Sequence, residues 1–132
     1  MTLLPISILF KQNLSFGTRQ IWACDWSDTR KRLAIGSVGN AYILDPESRG
    51  VNVIPTERQD VLSMNFAKST SSGYNLFMGC RDGSVKMSDF RAPLGAISVV
   101  KKKQFYNTSI KTVLCSPIDP NLLIVSDMIG TV

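Results

Sequence analysis

The residues able to do chemistry in this chain are its carboxylates, three cysteines and the basic side chains beside them; there is no histidine. Without an imidazole there is no His-based triad, no His general base and no His metal ligand. Asp25, Asp28, Asp45, Asp60, Asp82, Asp89, Asp119 and Asp127 fall at expected turns and strand ends. A carboxylate there caps the turn by accepting bonds from loop amides, which needs no acid–base role. Cys24, Cys80 and Cys115 are odd in number and have no CxxC spacing. Each lies in an expected strand as a small buried hydrophobe, and reduced thiols fit an intracellular, nuclear or cytoplasmic protein. Cys80 beside Arg81 is the one candidate nucleophile, because a neighbouring guanidinium can depress a thiol pKa; strand burial is the expected fate. Gly79 to Gly83 contains two glycines but opens no helix, so it is no phosphate cradle. The sequence therefore offers no catalytic, cofactor or metal set, and the chain reads as a non-enzymatic binding protein.

One pair keeps a functional role. Asp89 and Arg91 close the stretch Asn75–Arg91, NLFMGCRDGSVKMSDFR. An Arg fork can pair a carboxylate bidentately, and an Asp beside it can hold the fork or cap the loop. At an interface core such an Arg is a typical hot spot. Asp89 and Arg91 are thus the candidate partner-binding residues.

The elements that must position them come as repeats. Ile21–Ser27, Val61–Ala67 and Ile110–Ser116 each open on a β-branched residue. Each has a small residue two places on (Ala23, Ser63, Thr112) and an apolar one at the sixth place (Trp26, Phe66, Cys115). This alternation predicts strands with one buried face. Polar connections follow, then Leu33–Ser37, Leu76–Cys80 and Leu122–Ser126, short apolar runs that fit central strands. Gly36 and Gly79 share a place that Val125 takes in the third unit. Third strands follow at Ala41–Asp45 and Val85–Asp89, the second after an Asp-Gly turn. Outer strands are expected at Val51–Ile54 and Ala96–Val100. The period is about 44 residues with four strands per unit.

The net charge of +5 is mild, and its clusters Arg30–Arg32 and Lys101–Lys103 are expected in solvated turns. No aromatic interleaving at stacking spacing accompanies them, so nucleic acid is not an expected partner. Leu3 to Phe10 is apolar, but no basic residue precedes it and eight residues cannot span a bilayer. A strand is expected there and no membrane partner.

This period, with an Asp-closed third strand, resembles the WD-repeat β-propeller family from Ile21 to Val132. The resemblance implies an all-β fold of four-stranded antiparallel blades forming an incomplete propeller. It divides the chain into a lead-in strand (1–20), blades at 21–57 and 58–104, and a truncated blade at 105–132. The Gly-His that often opens such repeats is absent, and the closing Trp-Asp appears as Leu44-Asp45 and Ser88-Asp89. Ser88-Asp89-Phe90-Arg91 is similar to the Trp-Asp-x-Arg box of substrate receptors of cullin-four RING ubiquitin ligases, with Ser in place of Trp. The wording is most similar to their associated-factor-four group, also described as the WD-repeat twenty-one group. That likeness implies contact of Asp89 and Arg91 with the damaged-DNA-binding adaptor subunit, and an unknown substrate protein elsewhere. The alternative is a WD-repeat scaffold of another assembly, such as an RNA-processing complex.

Overall fold

A computed structural model of the chain describes residues 20–48, 50–67, 74–91, 99–119 and 121–132. Among these residues there is no helix, so none is long and apolar enough to cross a membrane. The lead-in strand expected within residues 1–20 lies outside the described residues, save Gln20.

Among the described residues ten strands form three antiparallel sheets. β1 (Ile21–Ser27), β2 (Arg32–Ser37), β3 (Asn40–Leu44) and β4 (Val51–Pro55) make the first, in sequence order. β5 (Val61–Phe66), β6 (Asn75–Cys80), β7 (Ser84–Asp89) and β8 (Val99–Gln104) make the second, in the same order. β9 (Ile110–Cys115) and β10 (Leu123–Asp127) make a two-stranded third.

The units repeat in backbone detail as well as in period. The second residue of every inner strand is a β-bulge: Trp22, Leu62 and Lys111 each stand unopposed in the register with the next strand. A bulge bends the strand and increases its twist, and here it does so at one place in each sheet. Each turn after the second strand also carries a left-handed glycine, Gly39 (φ 78°), Gly83 (φ 85°) and Gly130 (φ 93°). A side chain at Gly83 would place its Cβ 1.9 Å from the Tyr106 carbonyl oxygen.

The apolar cores lie between the sheets, one per neighbouring pair. Ala34, Ala41, Ile43 and Ile54 of the first pack on Val61, Met64, Phe66 and Leu76 of the second. Val85 of the second packs on Ile110, Val113 and Val125 of the third. Gly36 and Gly79 make this approach possible. A Cβ at Gly36 would lie 2.7 Å from Val61 Cγ1, and one at Gly79 2.4 Å from Ile110 Cγ2. Each glycine receives the β-branched residue that opens the next inner strand, which is why the two share a place in the repeat.

Several expectations are corrected. The second outer strand, Val99–Gln104, runs past the expected end at Val100, and Lys101–Lys103 lie within it instead of in a turn. An edge strand tolerates charge on both faces and is protected by it; residues 92–98 are outside the described set. Trp26 is exposed where Phe66 and Cys115 are buried, and Cys24 is exposed. β1 packs on β2 and β5, and no described element covers its other face.

Candidate protein-interaction face

Asp89 and Arg91 sit where β7 ends, at the loop end of the second sheet that also holds the start of β6. Asp89 does two jobs there. Its Oδ1 accepts from the backbone N–H of Arg91 at 3.1 Å, closing a tight Asp-led turn. Its carboxylate also receives the Arg91 guanidinium in a fork: Nε lies 3.0 Å from each oxygen, and the second nitrogen bonds Oδ2. The Arg91 hydrogen bonds, first that of its side chain, hold the Asp89 carboxyl below the usual carboxylate range against a partial burial that opposes them. Arg91 is raised in turn, chiefly by its hydrogen bond to Asp89. The fork is in solvent: the Arg91 side chain is 69% exposed and that of Asp89 31%.

The first sheet closes differently. Asp45 Oδ1 caps its own turn through the Glu47 N–H at 3.0 Å, but its cation is Arg32 of the adjacent strand, at 3.6 Å. Asn75 stands opposite Asp89 in the second sheet. With no cation on the neighbouring strand at that position, Asp89 takes Arg91 from its own turn.

Two further residues join this pair. Tyr74, directly before β6, lies 5.9 Å from the Arg91 guanidinium on its ring. On the same ring the Arg30 guanidinium sits at 3.8 Å, and its NH1 donates to the Tyr74 hydroxyl at 3.1 Å. Arg30 comes from the β1–β2 turn of the first sheet, so Tyr74 joins two sheets between two arginines. Phe90 fixes the ring from beneath: its centroid is 5.6 Å from Tyr74 and 5.3 Å from Phe66, and its N–H donates to the Tyr74 carbonyl at 3.0 Å. A pocket of about 120 Å³, lined by Trp26, Ser27, Asp28, Thr29, Phe66 and Ala67, opens at the same end. The arrangement sets the exposed Arg91 beside the half-buried Tyr74 and Arg30 on an apolar base, a mix of arginine and aromatic side chains that is common at protein-binding hot spots. Sequence reasoning missed Arg30 and Tyr74. They are 44 residues apart, and only the packing of one sheet on the next brings them together.

The remaining aspartates mostly cap turns as expected. Asp82 accepts from the Ser84 N–H and hydroxyl, Asp119 from the Asn121 N–H, and Asp127 from the Ile129 and Thr131 N–H groups. Asp60 instead pairs with Arg81 at 2.9 Å. Asp25 corrects the turn-capping expectation. It sits inside β1 and reaches the second sheet, where Oδ2 accepts from the Phe66 N–H at 2.7 Å. Asn65, at the equivalent fifth place of β5, accepts from the Cys115 N–H at 2.9 Å in the third sheet. The two side chains form a relay from one inner strand to the next, and Leu114 holds that place in β9. The signal was present as a polar residue at the fifth place of two units.

Cys80 is no activated nucleophile. It is buried, and burial pushes its thiol up to about 11, against the opposing charges of Lys86 and Lys102. Arg81, its supposed activator, is turned to Asp60. Among the described residues no cluster of three or more Cys, Asp or Glu side chains could hold a metal ion.

No family model matches this chain, and no curated protein matches it. Solved structures do. Two crystal structures of Sqt1 from Chaetomium thermophilum superpose with TM-scores of 0.63 and 0.61, at 20% and 19% identity, over 76% and 82% of this chain. A chain of the mitotic checkpoint complex superposes with a TM-score of 0.55 at 18% identity over 69%. This chain spans 26% to 32% of the length of those chains. The likeness, with antiparallel sheets packed face to face in sequence order among the described residues, shows the fold: blades of a β-propeller.

Proposed function

We propose that this chain is a non-enzymatic protein-interaction scaffold and that, within that class, it is a substrate-receptor subunit of a cullin-four RING ubiquitin ligase. The damaged-DNA-binding adaptor docks on the end of the sheets that carries Asp89, Arg91, Tyr74 and Arg30, and the substrate protein docks on another face. The observation that supports this reading is the geometry of the Asp-x-Arg pair. The turn amide and the carboxylate hold the Arg91 fork in one orientation before any partner arrives, which lowers the entropy cost of using it at an interface. The arginine is exposed, and an aromatic ring backs it. Ser88, standing where the receptors' box has Trp, is fully buried and does not enter the surface. The box is therefore carried here by its two charged members alone.

A second reading, a scaffold of an RNA-processing assembly, draws on the exposed lysines of β8. Lys102 is committed internally to Glu57 and Asp82, which weakens that surface as a phosphate-backbone track.

Co-purification of the adaptor with tagged protein tests the leading reading. Arg91→Ala is expected to lower recovery by a few-fold or more, with the fold intact because the side chain is exposed. Unchanged recovery rejects the assignment of the Asp-x-Arg pair.

A further inference from the structure

The second blade buries a lysine. Lys86 stands mid-strand in β7, between Met78 of β6 and Lys102 of β8, and is 1% exposed. Among the described residues its Nζ has no hydrogen-bond partner, and the nearest counter-charge is Glu57 Oε2 at 4.0 Å. A buried ammonium has three donors to satisfy and a large desolvation cost, so it is ordinarily surrounded by acceptors. Glu57 does not supply them. Its side chain is 66% exposed, and the same Oε2 lies 3.3 Å from Lys102 Nζ. Two lysines of the second blade converge on one oxygen of the first.

Glu57 is held over them by unfavourable backbone. Glu57 and Arg58 have φ of 55° and 63°. The Gln59 N–H donates to the Thr56 carbonyl at 3.0 Å, and the buried Thr56 hydroxyl donates to the Gln59 carbonyl at 2.9 Å. Positive φ at both central positions is the pattern of a type I′ turn, which selects Asn and Gly and not Glu and Arg. Side chains kept in that region gather where the strain serves a site.

We infer that this is an anion site between the first two blades, with Glu57 as its built-in occupant, and that its ligand is a single phosphate group. A phosphate brings three acceptor oxygens to the two ammonium groups, where Glu57 offers one shared oxygen. Displacement of Glu57 uncovers Lys86 and frees the left-handed turn. Asp82, 4.0 Å from Lys102 with Oδ1 already bonded to Ser84, opposes a higher anionic charge and so favours a single phosphate over a polyphosphate. The phosphate has two possible sources, a phosphorylated side chain or a free phosphate.

Phosphorus NMR titration of the 132-residue chain with inorganic phosphate and with phosphoserine tests this. Glu57→Gln is expected to tighten binding by about tenfold, as when an internal occupant leaves a site open about a tenth of the time. Lys86→Met, which keeps the buried volume, and Lys102→Met, on the outer strand, are each expected to abolish it. Tighter binding of phosphoserine than of phosphate assigns the site to a phosphorylated chain, and equal binding assigns it to free phosphate. The inference is overturned if neither probe binds the Glu57→Gln chain or if Glu57→Gln leaves affinity unchanged. It is equally overturned if either lysine variant binds as the parent does, which marks loose association with surface lysines only.

Discussion

At the scale of single residues, the aspartates matter through what they accept. Asp45, Asp82, Asp89 and Asp127 all lie below the ordinary value of 3.8 in the fold. For Asp45, Asp82 and Asp127 burial is the largest influence and works the other way, but turn amides and hydroxyls, joined by nearby cations at Asp45 and Asp82, together outweigh it. A carboxylate with a depressed folded pKa adds stability above its unfolded value and loses it as pH falls through the folded one. Urea midpoints are therefore expected to fall below pH 3.8, and Asp89→Asn is expected to make that fall shallower by removing one contributor. An unchanged acid slope in Asp89→Asn would show that the Arg91 fork does not hold the carboxylate in solution. The Asp-x-Arg spacing is enough to single out Asp89 and Arg91 in the sequence. It could not show that the two bond each other, nor that Tyr74 and Arg30 complete the surface, because those contacts join turns far apart in the chain.

At the scale of the element, the inner strands carry the joints between blades. Asp25 on β1 and Asn65 on β5 each tie a backbone N–H of the next inner strand. Asp25→Ala leaves the buried Phe66 N–H without its acceptor, at a cost of about 1–3 kcal/mol. Asp25→Asn, which keeps a side-chain oxygen, is expected to recover most of that loss in chemical denaturation. Equal losses in the two variants would mean that the charge and not the bond is what matters. The strands themselves were legible, since period-two alternation and short apolar runs located nearly every one. Their joints were not, because a polar residue inside a strand reads as a turn cap until the strand across from it is known. Lys101–Lys103 misled for a related reason. Three consecutive charges suggest a turn, but an outer strand with one free edge accommodates them.

At the scale of the molecule, blades packed face to face put the apolar cores between sheets and the described turns at one of two ends. One end gathers Arg30, Tyr74, Asp89 and Arg91. The other gathers the Asp60–Arg81 pair, the Gly83 turn and the connection through Tyr106 and Ser109. The repeat period announced the blades, and the glycines that admit Val61 and Ile110 explain why the sheets stack so closely. The end proposed to meet a partner rests only on the Asp-x-Arg likeness, and that choice is the central claim. Amide hydrogen exchange of the chain with and without the purified damaged-DNA-binding adaptor decides it most directly. The account predicts slowed exchange at Arg30–Arg32, Tyr74–Asn75 and Asp89–Arg91, lost in Arg91→Ala. Protection confined to Arg81–Gly83 and Phe105–Ser109, or no protection at either end, would contradict it.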